Sequence, residues 1–172
     1  KKLLGIFGLL VAVCLVTGLI EPNFFNANNL ENLVRRTSLF GIISIGVAFV
    51  IITRGIDLSI GSVIGLTGCL MPLLLIKHGW PWPLMLAFVF AIALLIGLAH
   101  GLLITKLHLQ PFVVTLCGLL FYRGIGRWLA NDRTMGFGAE YDDTLKQIAI
   151  AKFDLPGTAF NLPVSFLFLL VL

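Results

Sequence analysis

The chain has 172 residues, of which 59% are hydrophobic and only 12% charged, with a formal net charge of +4. A soluble domain carries about 25% charged residues, and a mean hydropathy of +1.05 excludes an ordinary water-soluble domain; this is the composition of an integral membrane protein. The positive charge is scattered, with no basic stripe interleaved with aromatics, so nucleic-acid binding has no basis.

A spanning helix needs roughly 20 mostly apolar residues, and the first candidate is 3–20. Lys1-Lys2 before it could mimic a signal peptide. The apolar run is longer than the usual ~7–15 residues, however, and no small-residue cleavage site follows, so a retained helix is expected. Glu21-Pro22-Asn23 stops it, because proline disfavours helix in the residue before it. Residues 23–36, with Asn26, Asn28, Asn29 and Asn32, read as a polar connector, and Thr37 or Ser38 as the cap of a second span, 38–53. The third span, 60–76, is interrupted by Pro72 and ends in the turn Lys77-His78-Gly79. Trp80 and Trp82, at the depth of an aromatic belt, precede the fourth span, 84–105. After a turn at 106–110 the fifth span, 111–129, opens with Pro111 in its first turn, where a missing N–H costs little. A polar segment follows, and Leu162 begins a partial sixth span, 162–172. Within the polar segment Tyr141, Leu145, Ile148 and Phe153 fall near helical spacing. Asp142 and Asp143 at the start and Lys152 at the end suit the helix dipole. The expectation is a short amphipathic helix, either on the membrane surface or packed on the spans.

The fold expected is therefore all-α, a polytopic membrane bundle of about five spans and the start of another, forming one transmembrane domain over 1–172. A chain that opens at Lys1 without Met and stops at Leu172 inside an apolar run is expected to be a piece of a longer protein. Charge counting leaves the orientation open: the Lys1-Lys2 pair favours a cytoplasmic N-terminus, whereas Arg35, Arg36, Lys77, Arg123, Arg127, Arg133, Lys146 and Lys152 then fall outside.

No catalytic constellation is present. The P-loop pattern G-x-x-x-x-G-K-[ST] is missing, the carboxylates are not paired for general acid/base work, and the histidines lack partners for a metal. Cys14, Cys69 and Cys117 each sit alone in apolar runs and read as small buried hydrophobes. Gly61/Gly65 and Gly97/Gly101 are GxxxG pairs, expected to let helices approach closely. His100, late in the fourth span, is expected to be packed or hydrogen-bonded; a proton relay is the other reading.

Thr53-Arg54-Gly55-Ile56-Asp57-Leu58-Ser59-Ile60-Gly61-Ser62 places an arginine and a carboxylate between two apolar runs. Gly55 suits the left-handed residue that ends a helix, and Arg54 suits the negative helix end. Asp57 or Ser59 can cap the next helix, and Arg54 and Asp57 are near enough in sequence to pair. The stretch is either a simple joint between helices or a joint beside a transport path.

Gly55-Ile56-Asp57-Leu58-Ser59-Ile60-Gly61-Ser62 resembles the signature Gly-Gly-Ile-Asp-Leu-Ser-Val-Gly-Ser of ribose-type ABC sugar transporter permeases. Asn23-Phe24-Phe25 with Asn28-Asn29-Leu30, Gly41 to Val47, Gly101-Leu102-Leu103-Ile104, Gln110 to Leu116 and Tyr122-Arg123-Gly124 are similar to that family's further landmarks in order and spacing. The family has Gly where Arg54 stands and Asn where His100 stands. The resemblance implies about ten helices per subunit and a cytoplasmic N-terminus in the bacterial inner membrane. It also implies a second permease subunit, a separate ABC ATPase that uses the ATP, and a periplasmic sugar-binding protein. This chain would itself be no enzyme and hold no cofactor. On that resemblance the function expected is translocation of a ribose-, xylose- or galactose-like monosaccharide. An ion-coupled secondary transporter of a small polar solute is the alternative. Gly55, Ile56, Asp57, Leu58, Ser59, Gly61 and Ser62 form the signature joint, and Arg54, His100, Gln110, Pro111 and Thr115 are the candidate helix-turn or pathway residues.

Overall fold

The computed structural model describes residues 2–137, 152–154 and 161–171. Helices dominate them: α1 (Lys2–Ile20), α2 (Ala27–Ile52), α3 (Ile60–Pro72), α4 (Trp82–Thr105), α5 (Pro111–Ala130) and α6 (Val164–Val171). The only strands among the described residues are β1 (Lys152–Asp154) and β2 (Asn161–Pro163), antiparallel with Phe153 opposite Leu162. Among the described residues four stretches are long and apolar enough to cross a membrane: Ala27–Ile52, Ile60–Lys77, Trp82–Thr105 and Pro111–Ala130. The chain divides into two compact units, Lys1–Ile45 with Lys146–Leu172, and Gly46–Leu145.

In the first unit the expected polar connector is mostly helix. A short 3-10 turn, Pro22–Phe25, follows α1, with the Glu21 carboxylate accepting from the Asn23 side chain at 2.9 Å. Asn26 Oδ1 accepts from the backbone N–H of Asn28 at 3.1 Å, so the chain enters α2 there and not at Thr37 or Ser38. Ser38 instead lies buried inside the helix, its hydroxyl donating to the carbonyl of Val34 at 2.6 Å. An asparagine-rich run reads as loop by composition, but an asparagine that offers its side-chain oxygen two residues ahead is a helix starter. The Phe25 ring lies against Gly18, and Leu169 of α6 lies over Gly41 of α2, close contacts that a Cβ at either glycine would obstruct. The expected amphipathic helix lies largely outside the described residues, including Tyr141, Leu145 and Ile148. Phe153, its last expected member, is in β1. Helix α6 starts at Val164, after a strand that takes Leu162 and Pro163.

The second unit has a core of Leu66, Leu70, Leu74, Leu75, Met85 and Val89, with Tyr122, Ile125 and Leu129 of α5 packed on it. Pro72, fully buried, has no N–H for the carbonyl four residues back, and the helix widens beyond it into a π-turn, Leu73–Lys77. His78 N–H then reaches Leu73 at 3.3 Å and Trp80 N–H reaches Leu74 at 3.0 Å. The Trp80 ring meets Phe88 edge-on at 5.2 Å. Leu94, Leu95 and Leu98 on α4 are all well exposed, a surface suited to acyl chains or further helices rather than water.

The close approach of helices falls on α5. A Cβ at Gly126 would stand 3.6 Å from the Cα of Leu66 in α3. The glycines expected to do this, Gly61, Gly65, Gly97 and Gly101, all face open space. Replacing Gly126 by leucine should therefore destabilise the helix pair by about 1–3 kcal/mol through overpacking, whereas Gly65→Ala should be neutral or stabilising by up to about 1 kcal/mol through helix propensity. Thermal unfolding of the two variants in detergent checks both.

Candidate functional site

The joint between α2 and α3 is built from backbone groups that no helix satisfies. Arg54 N–H reaches the carbonyl of Ile51 and Gly55 N–H that of Val50, both at 2.9 Å. This nested pair is a Schellman motif. Its left-handed residue is Arg54, with φ of 59°, and not Gly55. Gly55 serves another purpose: a Cβ there would stand 3.1 Å from the Val50 side chain and 3.8 Å from Pro111 at the start of α5. The position that the resemblance gives as Gly is thus the one that the backbone strains.

Asp57 then prepares α3. Its Oδ1 accepts from Ser59 N–H at 2.7 Å and from Ser59 Oγ–H at 2.6 Å. Ser59 stands at the helix start without a side-chain cap bond of its own; its carbonyl accepts from Ser62 Oγ–H at 2.7 Å. The carboxylate thus forms an Asx-turn that fixes Ser59, 2% exposed, at the start of the helix. An ion pair joins Arg127 and Asp132; Arg54 and Asp57 do not pair within 4 Å, and Arg54 is exposed.

Thr115 of α5, 3% exposed, closes the arrangement. Its hydroxyl lies 2.9 Å from the carbonyl of Pro111 and 3.1 Å from that of Ile56, 59 residues away in sequence. Thus α5 holds the joint through one side chain. Higher on α5, Tyr122 Oη and His100 Nε2 of α4 are hydrogen-bonded at 3.0 Å. Gly118 makes room for them, since a Cβ there would fall 2.7 Å from His100 Nε2.

A cavity of about 470 Å3 results, lined by Asp57, His100, Thr53, Thr105, Thr115 and Pro111 with Gly55, Ile56, Gly97 and Gly101. Of the sequence-derived candidates, Gly55, Ile56, Asp57, His100, Pro111 and Thr115 face it together. Gly61 and Ser62 line a second cavity of about 340 Å3 with Tyr122, Arg123 and Arg127. Ser59 is buried, and Arg54, Leu58 and Gln110 are exposed, Gln110 as the residue preceding α5. Sequence reasoning did not single out Gly118, Tyr122, Thr53 or Thr105 as site residues. For α5 a signal existed: Thr115, Gly118, Tyr122 and Gly126 follow one helical stripe of small and polar residues.

Three stability outcomes follow from this geometry. Arg54→Gly should stabilise the protein by about 1 kcal/mol by relieving a left-handed non-glycine residue. Asp57→Ala should cost about 1–2 kcal/mol, with less folded protein recovered from membranes, whereas Asp57→Asn, which keeps the accepting oxygen, should recover nearly as well as the native chain. Gly118→Ala should displace His100 at a cost of about 1–3 kcal/mol. Thermal unfolding in mild detergent measures all of them.

The chain matches the family described as branched-chain amino acid transport system / permease component over residues 29–172. It is 34% identical over 136 residues to the xylose transport system permease protein XylH of Escherichia coli K12, covering 77% of this chain and 35% of that protein. It is 35% identical over 135 residues to the ribose import permease protein RbsC of Haemophilus influenzae, covering 77% and 42%. The Escherichia coli K12 ribose import permease protein is 36% identical over 136 residues, covering 78% and 41%. The chain thus spans between 35% and 42% of the length of these relatives. No solved structure matches it. By the extent of the family match, and with spanning helices of the length and apolarity such proteins need, this chain belongs to the branched-chain amino acid transport system permease component family.

Proposed function

We propose that the chain is part of the transmembrane permease subunit of a bacterial ABC importer that moves a monosaccharide of the ribose or xylose kind through the inner membrane. The observation that carries this reading is the likeness to ribose and xylose permeases over more than three quarters of the chain. In this reading the N-terminus is cytoplasmic. A periplasmic binding protein delivers the sugar, and a second permease subunit completes the path. A separate ATPase subunit hydrolyses ATP and switches the side on which the path is open, so this subunit holds no nucleotide or metal of its own. The joint is an element of the path: a fixed break between helices that lines a cavity in protein is one way backbone is tolerated at membrane depth.

The experiment is to express the full-length protein with the products of its neighbouring genes, tag this subunit and extract it in mild detergent. An ATPase subunit should co-purify, and its ATP hydrolysis should rise several-fold with a sugar-loaded binding protein, the sugar being identified by the stimulation. A well-folded protein without an ATPase partner would overturn the reading and return the chain to ion-coupled transport, with His100 the first residue to replace.

A further inference from the structure

We propose that the groove between α3 and α5 binds an anionic phospholipid, with an acyl chain against the glycines of α3 and the phosphate on arginines at the end of α5. The site does not depend on which solute the protein carries. Helices α3 and α5 run in the same direction: Leu66 meets Gly126, and Leu73 and Ala130, at the far ends, line a common cavity. Beside this contact the two helices leave a cavity of about 340 Å3, lined by Gly61, Gly65, Cys69, Leu119, Arg123 and Arg127. A further cavity of about 270 Å3 shares Cys69, Gly126 and Arg127 with it and reaches Arg133 and Thr134. The two adjoin as one groove. From Gly61 to Cys69 it follows the helix for roughly 12 Å, at about 1.5 Å per residue. A Cβ at Gly61 or Gly65 would meet nothing within 4 Å, so the glycine floor is open.

The two ends of the groove differ in chemistry. Along the glycines the polar groups are already engaged: Ser62 Oγ–H donates to the carbonyl of Ser59 at 2.7 Å, and Tyr122 Oη is held by His100. At the other end stand Arg127 and Arg133, with Arg123 one turn deeper and Lys77 beside Arg133 in the adjoining cavity. Among the described lining residues the one carboxylate is Asp132, and it takes Arg127 Nε at 2.6 Å. Arg123, Arg133 and Lys77 are exposed and have no ion-pair partner among the described residues. Three uncompensated cations at the mouth of an apolar groove require an occupant with an anionic head and an apolar body. A free phosphate leaves the apolar length unused. A further helix would fit the glycine floor, but it would have to carry a carboxylate into the span to meet Arg123, and such charges are costly there. A phospholipid brings its charge at the depth where α5 ends, and basic pockets between spanning helices suit anionic headgroups. An acyl chain gains little by leaving the bilayer for the groove, since both are apolar, so the headgroup decides which lipid binds. Phosphatidylcholine has the same phosphate but adds an ammonium, which the excess of cations disfavours.

The test uses the purified full-length protein in mild detergent, with dioleoyl phosphatidylglycerol and dioleoyl phosphatidylcholine as probes. The groove carries its own reporter, since Cys69 lines both cavities. With every other cysteine replaced by serine, Cys14 and Cys117 among them, a small neutral maleimide reads access to it. Phosphatidylglycerol should slow labelling about fivefold and phosphatidylcholine under about twofold, and inorganic phosphate should not slow it. Arg123→Gln with Arg133→Gln, which keeps the Arg127–Asp132 pair, should abolish the difference between the lipids. Arg123→Lys with Arg133→Lys should keep most of it, because the attraction is one of charge. Gly65→Leu fills the groove from an open position and leaves every cation in place. It should lower the phosphatidylglycerol retained per protein, read by native mass spectrometry, about fivefold. Equal protection by both lipids overturns the headgroup assignment. Protection by inorganic phosphate, or full retention in Gly65→Leu, overturns the acyl groove in favour of a simple anion site. A Cys69 that resists labelling in delipidated protein places protein over the groove and overturns the proposal.

Discussion

Between Ile52 and Ile60 the backbone leaves helical hydrogen bonding in the midst of apolar sequence, and everything else in this unit depends on how those groups are met. An unpaired N–H or C=O in hydrocarbon costs several kcal/mol. Three devices meet part of the demand: the nested bonds to Val50 and Ile51, the Asp57 carboxylate under Ser59, and the Thr115 hydroxyl on the carbonyl of Ile56. The first two are local and could form in any helix joint. The third is not, and it ties the joint to α5. The cavity is what remains where a turn held in this way cannot be filled by the helices around it.

Much of this was legible in sequence. Proline at the start of α5, the proline break in α3, the turn at residues 53–59 and the largely helical, apolar character of the chain follow from local chemistry that tertiary contacts do not override. The beginning of α2 was not legible, because asparagine favours loops and helix starts alike, and composition does not say which. Nor was the exchange of roles between Arg54 and Gly55. A glycine beside a helix end suggests the left-handed position, yet Gly55 instead gives clearance to Val50, and the left-handed angle falls on Arg54.

The glycines carry the same lesson for the site. Spacing alone suggested that Gly61/Gly65 and Gly97/Gly101 bring helices together. A missing side chain has two uses, however: it lets a neighbour in, or it leaves room. Gly118 and Gly126 do the first, the one admitting His100 and the other α3, while the GxxxG pairs do the second and line the two cavities. The pattern in the sequence is identical for both uses, and the difference lies entirely in what stands opposite.

The packing of α5 on α3 also bears on how the protein is made. Of the four spanning-length helices among the described residues, α4 is the most apolar and α5 the least, and α5 carries Arg123, Arg127, Thr115 and Tyr122 in its length. A segment as apolar as α4 partitions into the bilayer on its own merits. Helix α5 is a poorer candidate and gains from a partner that accepts its small-residue face. Chain order provides one, since α3 is synthesised first and is already embedded when α5 emerges. The glycine at 126 is thus a feature of biogenesis as much as of the finished structure: it allows a marginal helix to be retained in the membrane by a helix that preceded it.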